Sequence, residues 1–151
     1  CDCDQPHLGA LSMDEDELKK RTKRFGLRIM KLVAALPNTP QGRTVGGQLV
    51  RAGTSVGANY RAACRARSRA EFTARLGVVE EEADESGYWL EMIIEGELMK
   101  ARRVTSLLAE ANELVAIMTS SRITVHKKQL AEKQHSTRRI GLKIKNQQSK
   151  I

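Results

Sequence analysis

The stretch from Arg51 to Phe72 constrains the fold most, because small residues recur in it at helical spacing. Gly53 and Gly57 are four residues apart, so on a helix both would face the same side. A glycine within a helix costs about 1 kcal/mol relative to alanine. Close approach of a neighbouring helix is the usual compensation for that cost. The stretch therefore predicts a thin helix packed tightly between others.

The same stretch carries a stripe of basic residues and a single acid, Glu71. The basic residues are Arg51, Arg61, Arg65, Arg67 and Arg69. A planar guanidinium suits phosphate oxygens, so the stripe is a candidate nucleic-acid contact. Pairing with an acidic helix of the same or another chain is the alternative, because the acidic block is large enough to neutralise the stripe, and both interpretations stay open.

The order of residues in this stretch resembles that of bacterial four-helix-bundle proteins called 23S ribosomal RNA intervening-sequence proteins. The matching residues are Arg51, Ala52, Ser55, Val56, Asn59, Arg67, Ser68, Glu71 and Phe72. The resemblance extends over about residues 18–125. Many members have Ala-Glu-Gly shortly after the asparagine. This chain has Arg61, Ala62 and Ala63 there, so any role of that acid is absent or moved.

The resemblance implies an antiparallel bundle that assembles into a homopentamer with a basic central channel. It implies no settled enzymatic activity. A relative of the family, the accessory protein of diversity-generating retroelements, binds a reverse transcriptase and nucleic acid. Two kinds of partner besides the chain itself are therefore implied: RNA or DNA, and a protein such as a reverse transcriptase.

The composition points to the same fold class. The chain of 151 residues suits one domain, and only 3% of its residues are aromatic, which favours an all-α fold over a β-sandwich. No apolar run approaches the roughly 20 residues that span a bilayer. Three cysteines without paired spacing do not suggest a disulfide framework. We expect a cytoplasmic protein with no membrane partner.

The positive charge is concentrated at the C-terminal end of the chain. Residues 122–151 contain nine basic residues and one acid, so their net charge equals the +8 of the whole chain. Residues 1–121 are neutral overall but divided, with a basic block at 18–75 and an acidic block at 76–99. Antiparallel helices would place these two blocks side by side.

Apolar periodicity predicts four helices in an up-down-up-down bundle over residues 14–121. The first begins with the acids at 14–17 and ends before Pro37, and the second runs from Gln41 or Thr44 to about Arg67. The third runs from about Arg69 to Met99, with Ser68 and Glu71 forming a capping box. The fourth runs from about Arg103 to Ser120. A leader at 1–13 is predicted to be disordered, and a basic tail at 122–151 is predicted to be disordered or helical only when bound.

The helices also contain candidate packing residues, for contacts between helices or between subunits. These are Gly53, Gly57, Asn59, Tyr60, Phe72 and Trp89. On the third helix, Glu80, Asp84, Glu91 and Glu95 are predicted to form one acidic face. No Glu-x-x-His pair accompanies these acids, so a di-iron site is not expected.

No set of residues predicts catalysis. The three histidines lie in the leader and the tail, where a general base would lack a fixed position. Cys1 and Cys3 supply too few ligands for a structural zinc site. We therefore expect neither an enzyme nor a metal or cofactor.

The basic tail is the better nucleic-acid candidate, although a purely solubilising role is the alternative. Its candidate contacts are Lys127, Lys128, Arg138, Arg139, Lys143 and Lys145. The sequence thus predicts a non-enzymatic oligomeric bundle that binds nucleic acid non-specifically. An adaptor for an acidic protein or a nucleic-acid enzyme is the second hypothesis.

Overall fold

The computed structural model describes residues 14–148, and these residues form α-helices with no strand among them. The helices are α1 (Glu15–Val33), α2 (Pro40–Ala63), α3 (Arg69–Glu95) and α4 (Thr105–Gln148), with a short 3₁₀ turn at Ala101–Arg103. The predicted all-α four-helix bundle is confirmed. The leader predicted at 1–13 lies outside the described residues.

Consecutive helices run antiparallel and pack against each other, whereas α1 and α4 touch much less. The predicted apolar stripes face inward and form one core. Its largest fully buried side chains include Phe25, Ile29, Leu49, Leu76, Leu90, Ile93, Leu114 and Met118. Burial of these side chains, each worth about 1.5–3 kcal/mol, holds the bundle together.

The glycines of α2 allow α1 to approach closely. A Cβ at position 57 would lie 3.3 Å from backbone atoms of Thr22 and Lys23. A Cβ at position 53 would lie 2.9 Å from the side chain of Ile29. The helix that closely approaches Gly53 and Gly57 is therefore α1.

Side-chain caps fix where two of the helices begin. The hydroxyl of Thr39 accepts a hydrogen bond from the backbone N–H of Gly42 at the start of α2. At the start of α3, Ser68 Oγ accepts from the N–H of Glu71, whose carboxylate accepts from the N–H of Arg67. The predicted cap by Ser68 is confirmed, but the reciprocal bond of a capping box is replaced by one from Arg67, the residue before the cap. The second helix ends at Ala63, four residues earlier than predicted, and Ser68 has the extended backbone of an N-cap.

The predicted end of the fourth helix at Ser120 was wrong, because α4 continues without a break to Gln148. The predicted disorder of the tail is contradicted over residues 122–148. Ser121 does not stop the helix, since its hydroxyl is buried and donates to the carbonyl of Ile117 at 2.7 Å. Val125, one turn further on, is also buried, so the bundle supports the helix beyond the serines.

Candidate functional site

The arginine stripe predicted from the sequence is divided between two kinds of environment. Arg51 pairs with Glu82 at 3.3 Å and with Glu85, and Arg69 pairs with Glu132 of α4 at 2.5 Å. The hydrogen bond from Arg51 holds the pKa of Glu85 below its ordinary value. Arg69 lowers the pKa of Glu132 in the same way. Pairing within the chain therefore accounts for these two arginines.

Arg61 and Arg65 are exposed and form no ion pair with any residue between 14 and 148. Together with Lys20 and Lys23 of α1, they border a groove of about 490 Å³ between α1 and α2. The structure thus brings two predicted arginines together with two lysines of the basic block at 18–75. Arg67 is also exposed, and only its backbone N–H bonds to Glu71.

The lining of this groove is mostly apolar. Gly26, Gly57 and Ala58 line it, and the close approach of α1 and α2 brings it near the backbone. Leu27 and Met30 stand beside it with 56% and 50% of their surface exposed. Sequence analysis missed both residues. Leu27 and Met30 are three residues apart and neither belongs to the buried stripe of α1, so a second apolar face was detectable from the sequence.

The acids of α3 are also divided. Glu80 accepts hydrogen bonds from Thr119 and Arg122 of α4, at 2.7 and 2.6 Å. Burial pushes the pKa of Glu80 up, but these two bonds outweigh it and the pKa lies below the ordinary value. Glu80 has helical spacing with Asp84, Glu91 and Glu95, but its carboxylate is paired with α4 and is therefore not part of the exposed acidic surface.

The remaining acids of α3 form an exposed outer face. Glu81, Asp84, Glu91 and Glu95 are exposed and make no ion pair within the described part of the chain. Tyr88 lies among them and is 52% exposed. Trp89 is half-buried and donates from Nε1 to Glu85 at 3.1 Å. The outer face of α3 is therefore acidic with an aromatic centre.

The other predicted packing residues lie inside the subunit to different depths. Tyr60 is buried, and Phe72 is half-buried against the core. Asn59 is half-buried and donates from its side chain to the carbonyl of Ser55 at 3.0 Å. These positions explain packing between the helices of one chain, and a part in subunit contacts stays a prediction for all of them.

The C-terminal part of α4 extends past the rest of the bundle. Arg69, the first residue of α3, pairs with Glu132. Because the two helices are antiparallel, residues 133–148 have no counterpart on α3. At 1.5 Å per residue, this extension is about 24 Å long. The helix carries the predicted contacts Lys127, Lys128, Arg138, Arg139, Lys143 and Lys145.

The described residues contain no group of three or more side chains suited to a metal ion. His126 and His135 are exposed on α4, and His7 lies outside the described residues. Cys64 is half-buried, and burial raises the pKa of its thiol, which disfavours the thiolate. Between residues 14 and 148, no helix is both long and apolar enough to cross a membrane.

These features define a helical-bundle protein with separate basic and acidic surfaces. The sequence model of the 23S rRNA-intervening sequence protein family matches residues 15–120. The chain belongs to that family, which confirms the resemblance found in the α2–α3 region. The extension of α4 lies beyond the matched residues.

A solved structure has the same fold. It is a protein of unknown function from the S23 ribosomal protein family of Bacteroides thetaiotaomicron, 33% identical to this chain, with a TM-score of 0.67. The match covers 73% of this chain and 98% of that one. No curated protein matches the chain significantly. Neither the family nor that protein brings any indication of an enzymatic activity.

Proposed function

We propose that the protein is a non-enzymatic, cytoplasmic homo-oligomer, a homopentamer, that binds RNA or DNA without sequence preference. The observation that carries the proposal is the continuation of α4 beyond the bundle as a helix rich in cations. Between residues 122 and 148 this helix has eight basic residues and one acid. A helix of this charge that continues directly from the bundle is suited to lie along a phosphate backbone.

Binding of this kind would be driven by charge. Each phosphate that a lysine or arginine neutralises releases condensed counterions, so affinity falls steeply with salt. The chain has one tryptophan, two tyrosines and two phenylalanines, and none of them lies in the extension. Base stacking, which aromatic side chains supply to single-strand binders, would therefore contribute little.

Assembly is supported by the exposed apolar side chains on two separate surfaces. Leu27 and Met30 on α1, and Tyr88 and Met92 on α3, are each at least 39% exposed. Apolar side chains grouped in this way commonly mark contact surfaces. The number five comes from the family resemblance. Light scattering tests it, since a pentamer of the 16.8 kDa chain would have about five times that mass.

Nucleic-acid binding is tested with four cations of the extension replaced together. In this variant Arg138, Arg139, Lys143 and Lys145 become glutamine, which keeps the helix while removing four charges. RNA binding across a salt series should weaken, and the slope of log affinity against log salt should decrease by up to about 3 for a single strand. Unchanged binding would contradict the assignment to the extension.

A matched control removes the same number of charges at the opposite end of the bundle. Its four residues, Arg43, Lys100, Arg102 and Arg103, are all exposed. Glutamine at these positions should leave RNA affinity close to that of the unchanged protein. A different result would favour the second hypothesis, an adaptor for a reverse transcriptase or another acidic partner. In that case no form of the protein would bind RNA, and the unchanged protein would retain a protein partner from cell extract.

A further inference from the structure

The groove between α1 and α2 has the chemistry of a docking site for an acidic helix. Three of the residues that line it, Gly26, Gly57 and Ala58, have little or no side chain, which leaves room for the side chains of an approaching helix. Cations stand along its border, and within residues 14–148 four of them make no ion pair. These four are Lys20, Lys23, Arg61 and Arg65.

The outer face of α3 has the complementary chemistry. Asp84, Tyr88, Glu91 and Glu95 follow one another at spacings of four, three and four residues, which places them on one helical stripe. The three acids have no ion-pair partner in the described chain, and Tyr88 is half exposed among them. Tyrosine is one of the residue types enriched among the hot spots of protein interfaces.

We propose that the α1–α2 groove of one subunit receives the outer face of α3 of a second copy of this chain. The inference rests on the proposed assembly and specifies which surfaces form it. Four unpaired cations would meet the unpaired acids of the partner. Tyr88 of that partner would pack on the small-residue lining beside Leu27 and Met30. Both sets of charges, uncompensated in the single chain, would then be compensated.

This contact is head-to-tail, because the two surfaces lie on different helices of the same subunit. After one contact forms, each subunit still presents one free groove or one free α3 face. Such heterologous contacts close into a ring when the rotation between subunits allows it. The contact also assigns Arg61 and Arg65 to assembly and leaves nucleic acid to the extension of α4.

The test reverses the charges of each surface and then of both together. The groove variant carries Lys23→Glu and Arg61→Glu, and the face variant carries Asp84→Lys and Glu91→Lys. All four residues are exposed, so the fold should persist, and circular dichroism checks this. Each variant alone should lose the oligomer in light scattering. The chain with all four changes should regain it, because its surfaces are again complementary.

Two controls accompany the charge reversals. Glu97→Lys combined with Lys100→Glu reverses exposed charges in the loop after α3 and should leave the oligomer intact. Tyr88→Ala should weaken assembly, whereas Ile123→Ala, which changes an equally exposed apolar residue on α4, should not.

The outcomes separate this inference from the proposed function. If the unchanged protein is a monomer, the proposed assembly fails and this contact fails with it. If the unchanged protein is an oligomer and either single-surface variant keeps the same mass, only the contact is overturned. If the chain with all four changes folds but stays monomeric, the proposed contact is overturned as well. Loss of RNA binding by the groove variant with assembly intact would assign the groove to phosphate instead.

Discussion

Arg21 of α1 and Glu110 of α4 form a bidentate ion pair across the small contact between these two helices. The guanidinium Nε and Nη2 donate to the two carboxylate oxygens at 2.7 and 2.9 Å. Both side chains are mostly buried, and Arg21 also contacts Glu113. The hydrogen bonds from Arg21 hold the pKa of Glu110 below its ordinary value. This pair is therefore a main polar link between the first and last helices.

We expect a double-mutant cycle on Arg21 and Glu110 to give a coupling free energy on the order of 1 kcal/mol. The partners are fixed in a bidentate geometry that exposed pairs rarely hold. Urea unfolding of Arg21→Ala, Glu110→Ala and the double variant measures the coupling. The same cycle on the more exposed pair Arg51 and Glu82 is the control and should give a smaller value. Equal couplings would contradict the prediction.

Acid should destabilise the bundle through three carboxylates, Glu80, Glu85 and Glu110. The pKa of each is lower in the folded chain than the ordinary value of 4.5. Their contribution is therefore fully present above about pH 4.5 and is lost as the pH falls through the lower folded-state values. Urea unfolding at several pH values should show this loss. A variant with glutamine at all three positions should show a flatter profile, and an identical profile would refute the assignment.

Gly57→Leu should destabilise the protein, since its side chain would meet the backbone of Thr22 and Lys23. Overpacking of this kind costs about 1–3 kcal/mol. Gly47→Leu in the same helix is the matched control, because a Cβ there meets nothing within 4 Å. Both changes gain the same helix propensity, so the difference between their free energies of unfolding isolates the packing cost. Equal stability of the two variants would show that the contact is not close.

Two truncations should separate the supported part of α4 from its extension. Ending the chain after Glu132 keeps the buried Val125 and the pair with Arg69, so the melting temperature should stay nearly unchanged. Ending it after Ser121 removes both and should lower the melting temperature by a few degrees, since burying a valine is worth about 1.5 kcal/mol or more. A large drop already at the first truncation would mean that residues 133–148 also contribute to stability.

The sequence was sufficient to predict where most of the helices lie, because local helix signals and core packing favour the same structure there. The small residues of α2, the cap at Ser68 and the stripe of α1 each have a purely local or periodic cause. The end of α4 was harder to predict. Consecutive serines such as Ser120 and Ser121 often end a helix, but here the helix continues because Val125 is buried against the bundle.

The sequence was sufficient to predict the charge of each surface, but not the direction in which its individual side chains point. Composition located the acidic block of α3, yet it could not tell that Glu80 turns toward Arg122 while Asp84 faces outward. Likewise, five arginines in one stretch gave no sign that Arg51 would be neutralised and Arg61 would not. Those outcomes depend on how neighbouring helices are rotated about their axes, and a single sequence does not specify that rotation.

The length of α4 has a geometric consequence for any ring built from this chain. Rotation about a single axis preserves direction along that axis, so every copy of the extension would emerge on the same side. Such a ring would be polar, with one cation-rich side and one without. A strand lying across that side would engage several helices at once, and avidity of this kind raises apparent affinity by about 10²- to 10⁴-fold. Several extensions together would then hold a nucleic acid that a single extension binds too weakly.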